Sequence, residues 1–511
     1  MSESMPGRLT PSVFIIAGAF AALQIVSTSF GPYGYFIDEL YYLACAHRLD
    51  FGYVDHPPLS ILMLSATCTL FGQSMLAIRL PAILAVAGTA TLAGVLARRL
   101  GGGAYAQAAA TLAVATGPIS LVLGSFFSMN AFEGLLWTLC GLVLLKLLQS
   151  DEPRWWLLVG LLFGLGLENK HTSVLLGLGL AAGLMLTQAR RHLLTPWPWL
   201  GGLAALLLLA PNLVWQVAHG WPSLEFYRNA QLHKNISTPP LKILADQALF
   251  LGPGSLPVWI AGLVFYLRAA AAQKYRLLGW AFATLLTLML LSGSSRPDRI
   301  AAYYPILFAA GGVALERLAQ AWGDIWLKGA TVALVLASGL FVLPMSLPLL
   351  PPAQVAAYVQ AVGILPKIER GKTSPLPQWL ADRTGWEEFV ADVAAVCRSL
   401  SAEERAQAVI YAPSYGQAGA VERFGPALGL PPVIASHNSY WMWARGRAIP
   451  EVLVAVGANP NDLRAMFTEY RLVRVHRCDY CMSWRNEMPI YVAKGLRVDF
   501  GSAWERAKHF E

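Results

Sequence analysis

Apolar residues run along this chain in long, nearly unbroken stretches, not in the alternation of a half-buried strand or the single stripe of a surface helix. A helix crosses a bilayer core with about 17–25 residues. Stretches that reach or approach this length stand near 12–30, 76–97, 104–124, 131–149, 155–169, 172–188, 200–217, 246–267, 277–293, 301–318 and 329–348. The pattern predicts about eleven transmembrane helices in a membrane domain over residues 1–348, with 155–169 and 172–188 as the shortest. From residue 349 the pattern changes. Strand-like runs (QAVIYA, VLVAVGA, RLVRVH, PIYVAKG) alternate with helix-like ones (SYGQAGAVERFGPALG, NDLRAMFTEY), which predicts a soluble C-terminal α/β domain over 349–511 with a mostly parallel sheet.

Charge divides the chain at the same place. Residues 1–348 hold 34 Asp, Glu, Lys and Arg, and the remaining 163 residues hold another 34. With 56% hydrophobic and 13% charged residues overall, against about 25% charged in soluble domains, the chain reads as an integral, multi-pass membrane protein whose surroundings are membrane lipid. Basic clusters fall in alternate gaps: Arg98-Arg99, Lys146 with Arg154, Arg190-Arg191, Arg268 with Lys274 and Arg276, and Arg317 with Lys328. By the positive-inside rule those gaps are cytoplasmic. Eleven crossings that start inside end outside, so the first outer loop (31–73) and the C-terminal domain share the non-cytoplasmic face. Residues 1–11 lack a cleavable signal pattern, which makes the first span an uncleaved anchor. The net charge of +8 sits largely in these cytoplasmic turns, and no basic patch is interleaved with aromatics, so nucleic acid is not an expected partner.

The first outer loop carries the densest chemistry. GPYGYFIDELYYLA places Asp38 and Glu39 side by side among aromatics that suit the bilayer interface, and ionised groups at that depth tend to mark function. Helix-compatible segments broken at Gly52 and Pro57-Pro58 predict short interfacial helices here. Asp55-His56-Pro57-Pro58 ends the loop, with His56 able to meet a phosphate or to cap a turn. Further on, SFFSMNAFEGLLW puts Asn130 and Glu133 one helical turn apart on one face. LENKHTSVLL puts Lys170 in apolar surroundings, where it must find an anion, either a ligand's or that of Glu168 or Glu133. GSSRPDRIAAYYPILF offers Arg296, Arg299 and Tyr304 for a phosphate, with pairing between Arg299 and Asp298 as the plainer reading. In the tail, SHNSYWMW offers Asn438, Tyr440 and Trp441 to an acceptor, or simply to packing. Gly416 and Gly419 do not complete a dinucleotide fingerprint. Six cysteines include Cys478 and Cys481 as CDYC; a disulfide within Cys397, Cys478 and Cys481 is favoured over a metal, without the spacing selecting the pair.

Four elements in register carry a resemblance: the acidic pair after the first span, the acid-x-Pro-Pro ending of the first outer loop, Asn169-Lys170 after the fifth span, and the basic-to-Tyr-Tyr-Pro stretch before the tenth. Together they resemble the GT-C superfamily of glycosyltransferases, in the branch of protein O-mannosyltransferases and lipid A aminoarabinose transferases. The resemblance covers the membrane domain and, more loosely, the tail. It implies a polyprenyl-phosphate-linked sugar as donor, a lipid, glycan or protein acceptor, inverting transfer on the outer face, and a periplasmic tail on a bacterial inner membrane. It also implies a first-loop aspartate as base. Asp38 takes that part, with Glu39 orienting it or the acceptor. His56, Lys170, Arg296, Arg299 and Tyr304 are the expected phosphate ligands, and Asp55, Asn130 and Glu133 further polar groups of the site. His56 replaces the family's lysine, and Asn130 with Glu133 replaces its second-loop aspartate. No cofactor is required on this reading, and a divalent metal is left open. The competing classes are a transporter, which would place ionisable groups mid-membrane on repeated, broken helices, and a non-catalytic envelope-assembly protein, which needs no interfacial charges.

Overall fold

The computed structural model describes residues 8–293, 296–323, 325–446 and 451–511. In the apolar part the chain forms α1 (Pro11–Phe30), α2 (Ile37–Ala46), α3 (Leu59–Phe71), α4 (Met75–Arg99), α5 (Ala104–Ala115), α6 (Pro118–Gly124), α7 (Met129–Ser150), α8 (Trp155–Asn169), α9 (Val174–Met185) and α10 (Trp197–Ala218). It continues through α11 (Pro222–Asn229), α12 (Pro240–Leu251), α13 (Leu256–Arg268), α14 (Arg276–Ser292), α15 (Asp298–Ala301), α16 (Tyr304–Trp322) and α17 (Ile325–Ser346).

Helices occupy all eleven expected stretches, but the count of spans changes. Among the described residues six helices are long and apolar enough to cross alone, and nine if each bent pair is one span. The stretch 246–267 is not one rod: α12 and the helix from Pro253 meet at 97°. Gly252 makes that corner with φ 91°, a region open to glycine, and Pro253 brings no N–H to continue the first helix. A gentler 62° bend at Gly117-Pro118 separates α5 from α6. The short α8 is held by close packing instead of by length. A Cβ on Gly160 would lie 2.0 Å from the Gly201 carbonyl oxygen of α10, and one on Gly164 would lie 2.8 Å from Ala205 Cα. Small residues four apart on both helices thus bring the backbones together, as membrane helices do when apolar burial gives no advantage over lipid.

The basic gaps gather at one end of this bundle. Gln149 donates to the Arg99 carbonyl at 2.8 Å, Arg191 pairs with Asp151 at 2.5 Å, and Glu316 accepts from the Gly103 N–H at 2.6 Å. The first loop, with α2 and α3, lies at the other end, against the C-terminal domain.

That domain adds α18 (Pro352–Val362), α19 (Gln378–Ala381), α20 (Trp386–Arg398), α21 (Ala402–Ala406), α22 (Tyr415–Phe424), α23 (Ser439–Ala444), α24 (Pro460–Met466) and α25 (Phe500–Arg506). Its strands are β1 (Ala408–Ala412), β2 (Val433–Ala435), β3 (Val452–Val456), β4 (Phe467–His476) and β5 (Met488–Leu496), in the order β2-β1-β3-β5-β4. The sheet is mixed, not mostly parallel: β1 runs parallel to β2 and β3, while β5 runs antiparallel to β3 and β4. Helical crossovers join the parallel strands, whereas β4 and β5 are joined by a loop without a crossover helix and therefore pair antiparallel. The loop contains the disulfide Cys478–Cys481, and Cys397 is a buried free thiol.

Candidate active site

Asp38 and Glu39 begin α2, and a step of about 100° along a helix sends neighbouring side chains in different directions. Glu39 turns into the bundle and is fully buried. Its carboxylate accepts from Arg79 Nε and Nη2, both at 2.8 Å, and from the Phe36 and Phe127 N–H groups, also at 2.8 Å. With four donors it pins the start of α2 to α4 and to the segment before α7. Its expected part beside the base is therefore corrected: Glu39 is a structural anchor.

Asp38 turns the other way, half-buried, toward the C-terminal domain. Its Oδ1 accepts from the Tyr415 hydroxyl at 2.9 Å. Burial pushes its carboxyl up to about 6, against the Tyr415 hydrogen bond and the charge of Lys234, and with the charges of Asp55 and Asp382. A carboxylate near this value is ionised at neutral pH yet basic enough to take a proton. Asp55 stands nearby, its Oδ1 accepting from the Tyr41 hydroxyl at 2.9 Å. His56 is not presented to a ligand. Fully buried, it points Nδ1 at the Pro57 carbonyl oxygen at 3.0 Å, and its ring lies 5.0 Å from Tyr42 and 4.8 Å from Tyr53.

A chain of alternating charges runs on from here. Lys170 leaves the end of α8 and donates to Asn130 Oδ1 at 2.7 Å and Glu133 Oε2 at 2.9 Å, with Asp298 Oδ2 at 3.8 Å. Arg296 pairs with Asp298 at 3.0 Å and reaches Glu369 at 3.6 Å. Glu369 also meets Lys234 at 3.5 Å and Lys372 in a close ion pair. Burial opposes ionisation of Asp298 and Glu369, but the cations outweigh it and hold both carboxyls well below their ordinary range. Four cations thus face Glu133, Asp298 and Glu369, and Lys234, Lys372 and Arg296 all lie within electrostatic reach of Asp38. The partner of Asp298 is Arg296 and not Arg299, and Arg299 is half-buried with no ion pair among the described residues.

Beside Asn130, Glu133 and Asp298 opens a narrow apolar cleft, with Val86, Ile119, Leu123 and Phe308 among its walls. The Tyr304 ring lines this cleft too, but its hydroxyl is engaged by Gln247 Oε1 at 3.0 Å, and its ring packs edge-on against Trp259 and Phe282. The structure therefore makes Tyr304 a wall and not a phosphate ligand.

Acceptor contact by SHNSYWMW is corrected as well. Trp441 and Trp504 exchange indole-to-carbonyl hydrogen bonds at 2.9 and 3.1 Å, and Phe510 packs on Trp441. Asn438, at φ 48°, accepts from the Glu511 N–H at 3.1 Å, and Tyr440 is buried. Asn438 and Trp441 brace this part of the domain against α25 and the residues after it, while the Tyr440 ring packs against Tyr41 of α2 and Trp443. Sequence reading missed Lys234, Glu369, Lys372 and Tyr415, none of which has a local signature; the segments that carry the first three meet only in space, through the Asn235–Glu369 bridge and the Arg370 N–H donated to the Lys234 carbonyl. Among the described residues no group of three or more His, Cys, Asp or Glu gathers as metal ligands do.

Residues 55–215 match the family model of dolichyl-phosphate-mannose-protein mannosyltransferases. No curated protein matches the chain. Among solved structures, ArnT from Cupriavidus metallidurans bound to undecaprenyl phosphate is similar, with 16% identity, TM-score 0.60, and coverage of 94% of this chain and 97% of that one. Its apo state gives TM-score 0.59 over the same shares. The Archaeoglobus fulgidus oligosaccharyltransferase tethered to an acceptor peptide is a looser likeness: 11% identity, TM-score 0.49, 82% of this chain and 63% of that one. The chain thus shares the fold of ArnT over 94% of its length, and residues 55–215 match the mannosyltransferase family model.

Proposed function

We propose that this protein is a membrane glycosyltransferase that moves a sugar from a polyprenyl-phosphate donor to a hydroxyl of a lipid, glycan or protein acceptor, with inversion, at the non-cytoplasmic face. One observation carries the reading: a half-buried aspartate with a raised pKa stands within electrostatic reach of a cation-rich cluster that borders an apolar cleft. The donor's phosphate meets Lys170, Arg296, Lys234 and Lys372, and its isoprenoid chain takes the cleft. The acceptor oxygen attacks the anomeric carbon as its proton passes to Asp38. The bond from that carbon to the phosphate oxygen breaks on the opposite side, and the polyprenyl phosphate leaves as an anion stabilised by the cations. The similar ArnT binds undecaprenyl phosphate, the same class of lipid.

The test is consumption of a polyprenyl-phosphate sugar from lipid extracts by the purified, reconstituted protein. Asp38→Asn is expected to slow it about 10²–10⁴-fold, the usual contribution of a general base. Since Asp38 must be ionised to accept a proton, wild-type activity is expected to fall as pH drops through about 6. A rate in the Asn variant within a few-fold of wild type sinks the assignment.

A further inference from the structure

Helix α22 of the C-terminal domain reaches the Asp38 carboxylate of the first outer loop through Tyr415. α22 begins with a capping box: Ser414 Oγ accepts from the Gln417 N–H at 3.3 Å, and Gln417 Oε1 accepts from the Ser414 N–H at 3.1 Å. That fixes the first turn and the direction of Tyr415. Two glycines one turn apart on α22 then face α2. A Cβ on Gly419 would lie 2.7 Å from the Leu40 carbonyl, and one on Gly416 would lie 2.2 Å from the Ile37 side chain. Only glycine permits this approach, and the approach brings the Tyr415 hydroxyl to Asp38. Aromatic neighbours hold the Tyr415 ring: Tyr41 of α2 lies at 4.8 Å and His437 at 4.7 Å, both tilted about 34–40°. The hydroxyl donates to Asp38 Oδ1, and among the described residues Oδ2 accepts no hydrogen bond.

We propose that Tyr415 is a positioning residue for the transfer: by occupying Oδ1 it fixes the Asp38 carboxylate so that Oδ2 faces the acceptor hydroxyl and receives its proton. This rests on Asp38 being the base. The charged and titratable groups facing Asp38 are Asp55 from the first loop, Tyr42 from α2, Lys234, Arg296, Lys372, Asp382 and Tyr415 itself. A hydrogen bond to the ionised form favours it, so removing the Tyr415 hydroxyl raises the Asp38 pKa.

The experiment measures kcat/KM against pH for the full-length protein in liposomes, with a polyprenyl-phosphate sugar as donor. Tyr415→Phe is expected to move the acidic limb up by about one pH unit and to lower the rate at neutral pH, with donor binding little changed and the thermal midpoint lowered at pH 7.5 but not near pH 4. Gly419→Ala, which keeps the tyrosine but holds it away from α2, is expected to move the limb the same way. Asp382→Asn is expected to move it down, because it removes a negative neighbour. A merely structural tyrosine would lower the midpoint at both pH values and leave the limb in place. An inactive Asp38→Asn enzyme beside a Tyr415→Phe enzyme with an unmoved limb overturns the positioning role alone. An active Asp38→Asn enzyme overturns the base assignment and this proposal together.

Discussion

At the residue scale, Asp38 and Glu39 are neighbours with opposite duties, and substitution separates them. Glu39→Gln leaves the Arg79 guanidinium buried without its counter-ion, a change that costs about 3–5 kcal/mol when a buried pair loses one partner. The expected outcome is a lowered unfolding midpoint in detergent, with activity per folded molecule far less affected than by Asp38→Asn. For Asp38 the sign reverses. Its folded pKa is raised, so its ionised form is less favourable in the folded than in the unfolded chain; the destabilisation is present above about pH 6 and relieved as pH falls toward the unfolded value near 4. Asp38→Asn is therefore expected to unfold at a higher temperature than wild type at pH 7.5 and to match it near pH 4, which thermal scans at the two pH values would check. The acid pair was legible in the sequence because carboxylates are rare at a membrane edge. The family resemblance gave Asp38 the part of the base, but that Glu39 turns into the bundle as an anchor was not legible, since it depends on what lies a third of a turn around α2. Tyr415 was invisible for a similar reason. A tyrosine in a soluble-looking helix carries no local mark, and its partner is 377 residues away.

Elements explain where hydropathy succeeded and where it stopped. Apolar length located the long helices α1, α4, α7, α10 and α17, because one helix crossing lipid needs little more than length and apolarity. The same measure merged α12 with α13 across a right angle, since average hydropathy does not register the turn made by Gly252 and Pro253. Two short segments read as spans, 155–169 and 172–188, proved to be real helices whose support comes from neighbours. α8 leans on α10 through Gly160 and Gly201, and its C-terminal end delivers Lys170 to Glu133 and Asp298. Gly160→Leu is expected to push α8 away from α10 and displace Lys170. The measurement is donor binding by the folded variant: affinity should fall by about tenfold or more as one phosphate-facing charge is withdrawn, while Gly202→Leu, on the open side of α10, should bind normally. Equal loss in both would mean that added bulk, not the α8–α10 contact, is responsible.

The whole molecule is held together at the end of the bundle that bears the first loop. Arg383 reaches from the C-terminal domain into the bundle, donating to the Ser125 carbonyl at 3.1 Å and hydroxyl at 2.6 Å, while Gly34 donates its N–H to the Arg383 carbonyl. Arg48 of the first loop pairs with Glu422 of α22 at 2.7 Å. First loop and C-terminal domain therefore lie on one side of the membrane whatever the exact number of crossings, because residues in contact cannot be divided by a bilayer. In the proposed orientation the basic gaps, which collect at the opposite end, face the cytoplasm, as the positive-inside rule expects. A cysteine introduced at Ser401, exposed in the loop before α21, is expected to react with a membrane-impermeant maleimide in intact cells; one introduced at Gln188, exposed beside the basic Arg190-Arg191 turn, is expected to react only after permeabilisation. Native Cys68, half-exposed, should be replaced by serine in both, and the other free thiols are buried. Labelling in the reverse order would put the Asp38 site on the cytoplasmic face, where a donor displayed on the outer leaflet could not reach it, and the proposed reaction would then need a donor facing inward.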